Sequence, residues 1–336
     1  MRIGLALPHY DTSLAGEPVT WTGLRSVARV AEEAGLDSLW VSDHLFLDWG
    51  RYGGPDTPQG SLECWTTAAA VAASTSRIRV GTLALCNDFR PPALLAKMAG
   101  SLDRLSGGRL DIGLGAGWYE QEYKRAGLDF DRPGIRIERL GEAVEIVKRL
   151  LEGEELTFGG SHYRIEGAVC RPGPAPGRQP PVWVGGKGDR LLATAARVAD
   201  GWNMSWLGSV ETYRDRSLVA TRACEAVGRD PVTLRRSVGA YALVGRNEAD
   251  ARARFRRLAE RTPAGVLGST NGNTAVSWDV FRRDHFAGTA AEVTDRLGSL
   301  RDLGVEEVIV TLGTLPFQVA DEEDVEQIGE LAPALR

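Results

Sequence analysis

Ser42, Asp43 and His44 stand in one run just after a short apolar segment, and an acid beside an imidazole suits proton transfer near neutral pH. The same residues also have a structural reading, with Asp43 capping a turn and His44 packed at a strand end. A second feature is the run 106–123, SGGRLDIGLGAGWYEQEY. There Leu110, Ile112, Gly113, Leu114 and Gly115 read as a buried parallel strand, and glycines recur at 113, 115 and 117. Glycine at that density implies close backbone approach or positive φ where the strand ends. The spacing is GxGxG, not the GxGxxG of a dinucleotide site, and no acidic residue follows at the required offset. A third feature is Val184-Gly185-Gly186-Lys187-Gly188, which follows a short strand and opens a helix. Backbone N–H groups at such a helix start can bind phosphate, although the rest of a Walker loop is missing and a P-loop is excluded. Trp118 and Trp202 fall where a planar ligand could stack, and His9 follows the first strand. His162 and His285 read as surface or structural residues. Nothing resembles a Ser-His-Asp triad, a zinc site or paired glycosidase carboxylates.

The elements that must position these residues alternate from end to end. Strands are expected at 2–7, 38–41, 78–83, 110–114, 182–184, 201–203, 237–244 and 307–312. Helices are expected at 19–34, 62–74, 93–105, 135–151, 190–199, 210–227, 290–303 and 324–335. The rhythm breaks at a hairpin and proline-rich connector, about 154–181, and at a polar, glycine-containing insertion, about 261–288. Alternation implies a parallel sheet covered by helices, and eight units fit a closed (β/α)8 TIM barrel with insertions. A doubly wound sheet with a second domain after residue 151 fits less well, because the rhythm returns beyond the connector. The expectation is therefore a single barrel domain over 1–336. Its active residues should follow the strands at the C-terminal face, where the three features above all fall.

Composition narrows the function classes. The chain of 336 residues has a formal charge of −5 with scattered lysines and arginines, which disfavours nucleic acid as a partner. No apolar run is long enough to span a bilayer, and Met1 leads straight into a strand without the pattern of an export signal. Four cysteines (64, 86, 170 and 224) lie far apart with no CxxC, which suits a reducing cytoplasm and offers no metal site.

Five segments, in order, carry a resemblance: AEEAGLDSLWVSDH (31–44), TSRIRVGTLAL (75–85), PALLAKMAGSLDRLSGGRLDIGLGAGW (92–118), PPVWVGGKGDRLLATAARVADGWN (180–203) and GTAAEVTDRLGSLRDLGVEEVIV (288–310). Together they make the chain similar to the bacterial luciferase-like monooxygenase superfamily of flavin- and deazaflavin-dependent enzymes. The resemblance implies a (β/α)8 barrel, often dimeric, holding an isoalloxazine-type ring at its C-terminal mouth. It implies that Asp43 and His44 lie beside the reactive edge of the ring. Leu83 and Ala84 would form a bulge, often with a non-prolyl cis peptide, behind the ring. Gly115, Ala116 and Gly117 would pass close to it, and Gly185, Gly186 and Gly188 would bind phosphate. Trp118, Val184, Lys187 and Trp202 complete the expected cofactor contacts.

Ser-Asp-His at 42–44 resembles the coenzyme F420 branch more than the flavin monooxygenases. The F420-dependent glucose-6-phosphate dehydrogenases have a glutamate where this chain has Trp118, which speaks against sugar-phosphate oxidation. The expected function is hydride transfer between F420 and a small organic substrate, with His44 exchanging a proton and Asp43 orienting it. The alternatives are an FMN-dependent monooxygenase using O2 and a flavin-binding barrel without catalysis. The expected partners are a small-molecule substrate and a second copy of the chain in a homodimer, with neither nucleic acid nor membrane.

Overall fold

The computed structural model describes residues 1–11, 13–48, 50, 59–262 and 277–336. Strands β1 (Arg2–Ala6), β2 (Ser38–Val41), β3 (Arg79–Thr82), β4 (Leu85–Cys86) and β5 (Leu110–Gly115) are interleaved with helices α1 (Trp21–Glu33), α2 (Cys64–Ser74) and α3 (Pro92–Ser106). Helices α4 (Glu120–Ala126) and α5 (Pro133–Leu151) lead to an antiparallel hairpin, β6 (Glu155–Gly159) and β7 (Arg164–Val169). The chain continues through β8 (Val182–Gly185), α6 (Asp189–Val198), β9 (Gly201–Met204), α7 (Val210–Ala226), β10 (Arg235–Gly245) and α8 (Glu248–Arg261). It ends with α9 (Trp278–Asp284), β11 (Phe286–Thr289), α10 (Ala290–Asp302), β12 (Glu307–Thr311), α11 (Glu322–Gly329) and α12 (Ala332–Leu335).

Strands β1, β2, β3, β5, β8, β9, β10 and β12 pair in that order, all parallel, and β12 returns to β1. This is a closed (β/α)8 barrel. Its apolar content is divided by the two faces of each strand. Ile3, Leu5, Leu39, Val41, Ile112, Leu114, Val182 and Val184 pack outward in the layer shared with the helices. Ala6, Trp40, Trp183 and Ile309 belong to a separate cluster that fills the interior. Two indole rings fit inside because their neighbours lack side chains: a Cβ on Gly81 would lie 2.5 Å from Trp40, and one on Gly201 2.2 Å from Trp183.

The helix boundaries follow local chemistry. Thr20 caps α1 by accepting from the Gly23 N–H, and Thr289 and Glu292 form a capping box at α10. Gly107, at φ +73°, ends α3 in the left-handed conformation. Pairing of β11 with Ala242–Gly245 of β10 adds an edge beside the barrel, in the region read as an insertion. Residues 263–276 of that region lie outside the described residues. Helix α8 was not expected; its sequence, EADARARFRRLAER, is so rich in charge that its apolar stripe is thin. Among the described residues no helix is long and apolar enough to cross a membrane.

Candidate active site

The C-terminal ends of the strands surround a cavity of about 380 Å³. His44, from the loop after β2, lines it. Its Nδ1 lies 2.6 Å from Oε2 of Glu122, which is itself 2% exposed on α4. The other carboxylate oxygen of Glu122 accepts from the backbone N–H groups of Leu45, at 2.7 Å, and Phe46, at 2.9 Å. A carboxylate accepts, so His44 carries a hydrogen on Nδ1, and Nε2 is the ring nitrogen that Glu122 does not engage. The imidazole stands edge-on to Trp118, with ring centroids 5.5 Å apart.

The expectation that Asp43 orients His44 is corrected by this arrangement. Asp43 is buried and tied elsewhere: Arg90 donates to both of its oxygens, at 2.7 and 3.0 Å, and the Cys86 N–H donates at 2.9 Å. Burial pushes the Asp43 carboxyl above the ordinary carboxylate range, and those three donors oppose the push. Arg90 also reaches Glu63, the side chain that caps α2. Asp43 therefore links the β2 loop to the β3–α3 loop and to α2. The orienting acid is Glu122, which lies 78 residues from His44 in the chain.

One wall of the cavity is built from small residues. The Leu83–Ala84 peptide is cis, and both residues line the cavity. The Ala84 methyl sits between Gly115 and Gly185: a Cβ on either glycine would lie 3.6 or 3.3 Å from it. The result is a shallow apolar surface, and side chains at Gly115 and Gly185 would fill it. Ala116 and Gly117 also line the cavity, and Arg136 donates to both of their carbonyls. Gly117 serves the protein first: at φ +72° its Cβ would lie 1.9 Å from the Tyr123 hydroxyl. Tyr123 in turn contacts Sγ of Cys86 at 3.0 Å, and burial pushes that thiol up to about 12.

Trp206 and Phe317 also line the cavity, edge to face at 5.4 Å, in the same apolar cluster as Leu83. Both hold positive φ, 51° and 57°, a conformation costing bulky residues about 1–3 kcal/mol each. Surrounding structure fixes them there, and Lys187 Nζ donates to the Trp206 carbonyl at 2.8 Å.

Several expected contacts are not at the cavity. The Val184 side chain is buried on the outer face of β8, because residues of a strand alternate and Trp183 takes the interior. Trp202 likewise lies outside the barrel, stacked on Tyr213 at 5.9 Å, and its indole N–H donates to the Gly186 carbonyl at 2.7 Å. It shapes the glycine turn from behind. Gly185 and Gly186 line the cavity, whereas Lys187 and Gly188 do not. Gly188 precedes α6 with open space where a side chain would be.

Sequence reasoning missed Glu122, Tyr10, Trp206 and Phe317. Tyr10 was visible beside His9 after the first strand, and Glu122 lay within the run 106–123. Helix α4, with seven residues, is too short to show a periodicity that would tell Glu122 from Glu120.

Comparison with known proteins agrees with the fold. The family model described as luciferase-like monooxygenase matches residues 1–322. The F420-dependent hydroxymycolic acid dehydrogenase of Mycobacterium tuberculosis is 35% identical over 230 residues, 67% of this chain and 60% of that protein. The match thus spans about 60% of the length of that relative. Among solved structures, an F420-dependent secondary alcohol dehydrogenase aligns over 100% of this chain and 99% of its own, with a TM-score of 0.76 and 19% identity. A monooxygenase from Streptomyces bottropensis aligns over 99% of each chain with the same TM-score, 0.76, and 23% identity. These two structural likenesses establish the fold alone.

Proposed function

Because the chain belongs to the luciferase-like monooxygenase family, we propose that it is an oxidoreductase moving a hydride between coenzyme F420 and a small, neutral organic substrate. The observation that carries this reading is the His44–Glu122 pair beside the apolar surface of Ala84, Gly115 and Gly185. A flat tricyclic ring suits that surface, since small residues leave it unobstructed and Leu83 and Leu191 extend it. The relative from Mycobacterium tuberculosis, named for its use of F420, favours the deazaflavin over FMN.

The residues fit such a group as follows. Leu83, Ala84, Gly115, Ala116 and Gly185 would hold the ring, with Trp118 at its edge. Gly186 and Gly188, before α6, would receive the phosphate; the space at Gly188 is open, and helix N–H groups favour an anion. When bound, the deazaflavin supplies the two-electron hydride chemistry. His44 Nε2 takes up or returns the proton of the substrate oxygen, and Glu122 holds the imidazole in the tautomer that leaves Nε2 basic. Asp43 and Arg90 keep the His44 loop in place. Among the described lining residues there is no lysine or arginine, so a phosphorylated or carboxylated substrate would find no countercharge. Four buried cysteines, none in a disulfide, fit a cytoplasmic protein, and the family resemblance favours a homodimer.

The test follows reduced F420 mixed with a panel of neutral ketones while dissolved oxygen is monitored. Oxidation of the deazaflavin without oxygen uptake is the expected result. Substrate-dependent oxygen consumption with reduced FMN would install a monooxygenase instead.

A further inference from the structure

The loop after β12 brings to the cavity a carboxamide that the His44 chemistry does not use. Gln318 is 2% exposed and lines the cavity. Its backbone is fixed on both sides: the N–H donates to Thr311 Oγ1 at 3.0 Å, and the carbonyl accepts from the Leu312 N–H at 2.8 Å. Its side chain folds back over Gly313, where an added Cβ would lie 2.3 Å from Oε1. That oxygen accepts from the Thr314 N–H at 2.9 Å and the Leu315 N–H at 3.2 Å, with the Thr314 hydroxyl at 3.4 Å. Backbone N–H groups only donate, so the amide cannot be turned round and its NH2 is held away from them.

Nε2 has no partner among the described residues, yet it is not one of the interior polar atoms shut off from solvent. In a residue this buried, such a group opens on the cavity it lines. Hydroxyls around the same cavity spend their hydrogens within the protein: Ser13 on the Tyr10 carbonyl, Ser205 on Asn203 and Tyr119 on Asp48. Strand β1 lies between β12 and β2, so at about 4.8 Å per strand the loops carrying Gln318 and His44 start about 10 Å apart.

We propose that Gln318 is a substrate-contacting residue whose Nε2 donates a hydrogen bond to an acceptor oxygen of the ligand, a carbonyl or ether separate from the oxygen that His44 serves. The favoured substrate is then a neutral molecule with two oxygens, one that reacts and one that anchors. This deepens the proposed function and rests on it for the reacting end, but the contact itself requires only the cavity.

Two probes of one shape serve the test, cyclohexyl methyl ketone and isopropenylcyclohexane. The ketone accepts a hydrogen bond, the alkene does not, and neither donates one. Each is titrated into the protein, with and without oxidised F420, and followed by ligand-observed NMR. Gln318→Met keeps the length of the side chain and removes both donors. Comparing the variant with wild type cancels the difference in hydration between the probes. Ketone affinity should fall about three- to tenfold, the range of one net hydrogen bond, while alkene affinity stays within twofold. Equal losses for the two probes would make Gln318 a brace of its loop and overturn the proposal. Unchanged ketone affinity, or no binding of the ketone to wild type, overturns it as well. A ketone-selective loss in a protein that fails to bind F420 would uphold this inference and remove the cofactor assignment.

A crystal structure of the wild-type protein soaked with the ketone decides the matter if the variant does not fold. The carbonyl oxygen should lie within about 3.2 Å of Gln318 Nε2. A ketone oxygen placed elsewhere in the cavity, or no bound ketone, would overturn the proposal.

Discussion

Glu122 Oε2 sits 2.6 Å from His44 Nδ1, so an acid on a short helix after β5 sets the tautomer of an imidazole after β2. The pairing is anchored from the other side as well, since Glu122 holds the backbone of Leu45 and Phe46. One carboxylate therefore fixes both the ring and the loop carrying it. Such second contacts are what make a base directional.

Replacing His44 with alanine should lower kcat by roughly 10²–10⁴ if it is the acid–base group. Cofactor affinity should change little. Steady-state kinetics alongside a cofactor titration separates the two, and turnover within threefold of wild type would remove His44 from the chemistry.

Glu122→Gln should cost about 10²-fold in kcat at nearly unchanged stability, through a tautomer effect. The amide oxygen can still accept from Leu45 and Phe46, which turns its NH2 toward His44 Nδ1. Two donors cannot face each other, so the hydrogen moves to Nε2 and the ring loses its basic nitrogen. The pH profile should shift with kcat; an unchanged profile would make Glu122 a structural residue.

Asp43→Ala should act on stability first. It strips Arg90 of its bidentate partner inside the protein, a loss of about 3 kcal/mol, at the lower end for a broken buried pair because Glu63 stays in contact. Urea denaturation reads this directly. A stable variant with a large loss in kcat would restore Asp43 to the role the sequence suggested.

The acid side of the stability profile should carry a histidine signature. His9 and His285 are each pushed down to about 4, mainly by burial, with His44 adding to the effect at His9 and Arg296 at His285. Asp284 opposes the shift at His285. The unfolded chain takes up protons below its ordinary histidine value of 6.5 that the native state refuses down to about 4. Stability is therefore complete above that upper value and is lost as pH falls through the window, by about 2 kcal/mol per histidine at pH 5. His9→Gln should flatten the dependence of unfolding free energy on pH by about one proton. An unaltered slope would contradict the burial of a neutral His9.

The barrel was legible because each strand carries its own signal: apolar runs such as RIGLA, closed by Pro8, and EVIVT, closed by Gly313, need no partner to be recognised. The positions of Ser42, His44, Gly115 and Gly185 at strand ends followed from that count of eight. What the sequence could not display is pairing across loops. Asp43 adjoins His44 in the chain yet faces Arg90, while Glu122 is distant and makes the contact. Trp202 and Val184 were misassigned for a related reason. A four-residue strand shows where it ends but not which of its alternating faces turns inward, and that is decided by Trp183 and Gly201 fitting together.

Dissociation constants for F420 and FMN, each oxidised and reduced, measured on the purified protein decide which cofactor the barrel takes. F420 should bind at least tenfold more tightly, a difference of about 1.4 kcal/mol. Gly185→Val, which places a branched side chain over Ala84 where a Cβ alone already comes to 3.3 Å, should abolish that binding while the protein stays folded. Tighter binding of FMN, together with oxygen uptake dependent on substrate, would make the protein a flavin monooxygenase and remove the F420 assignment.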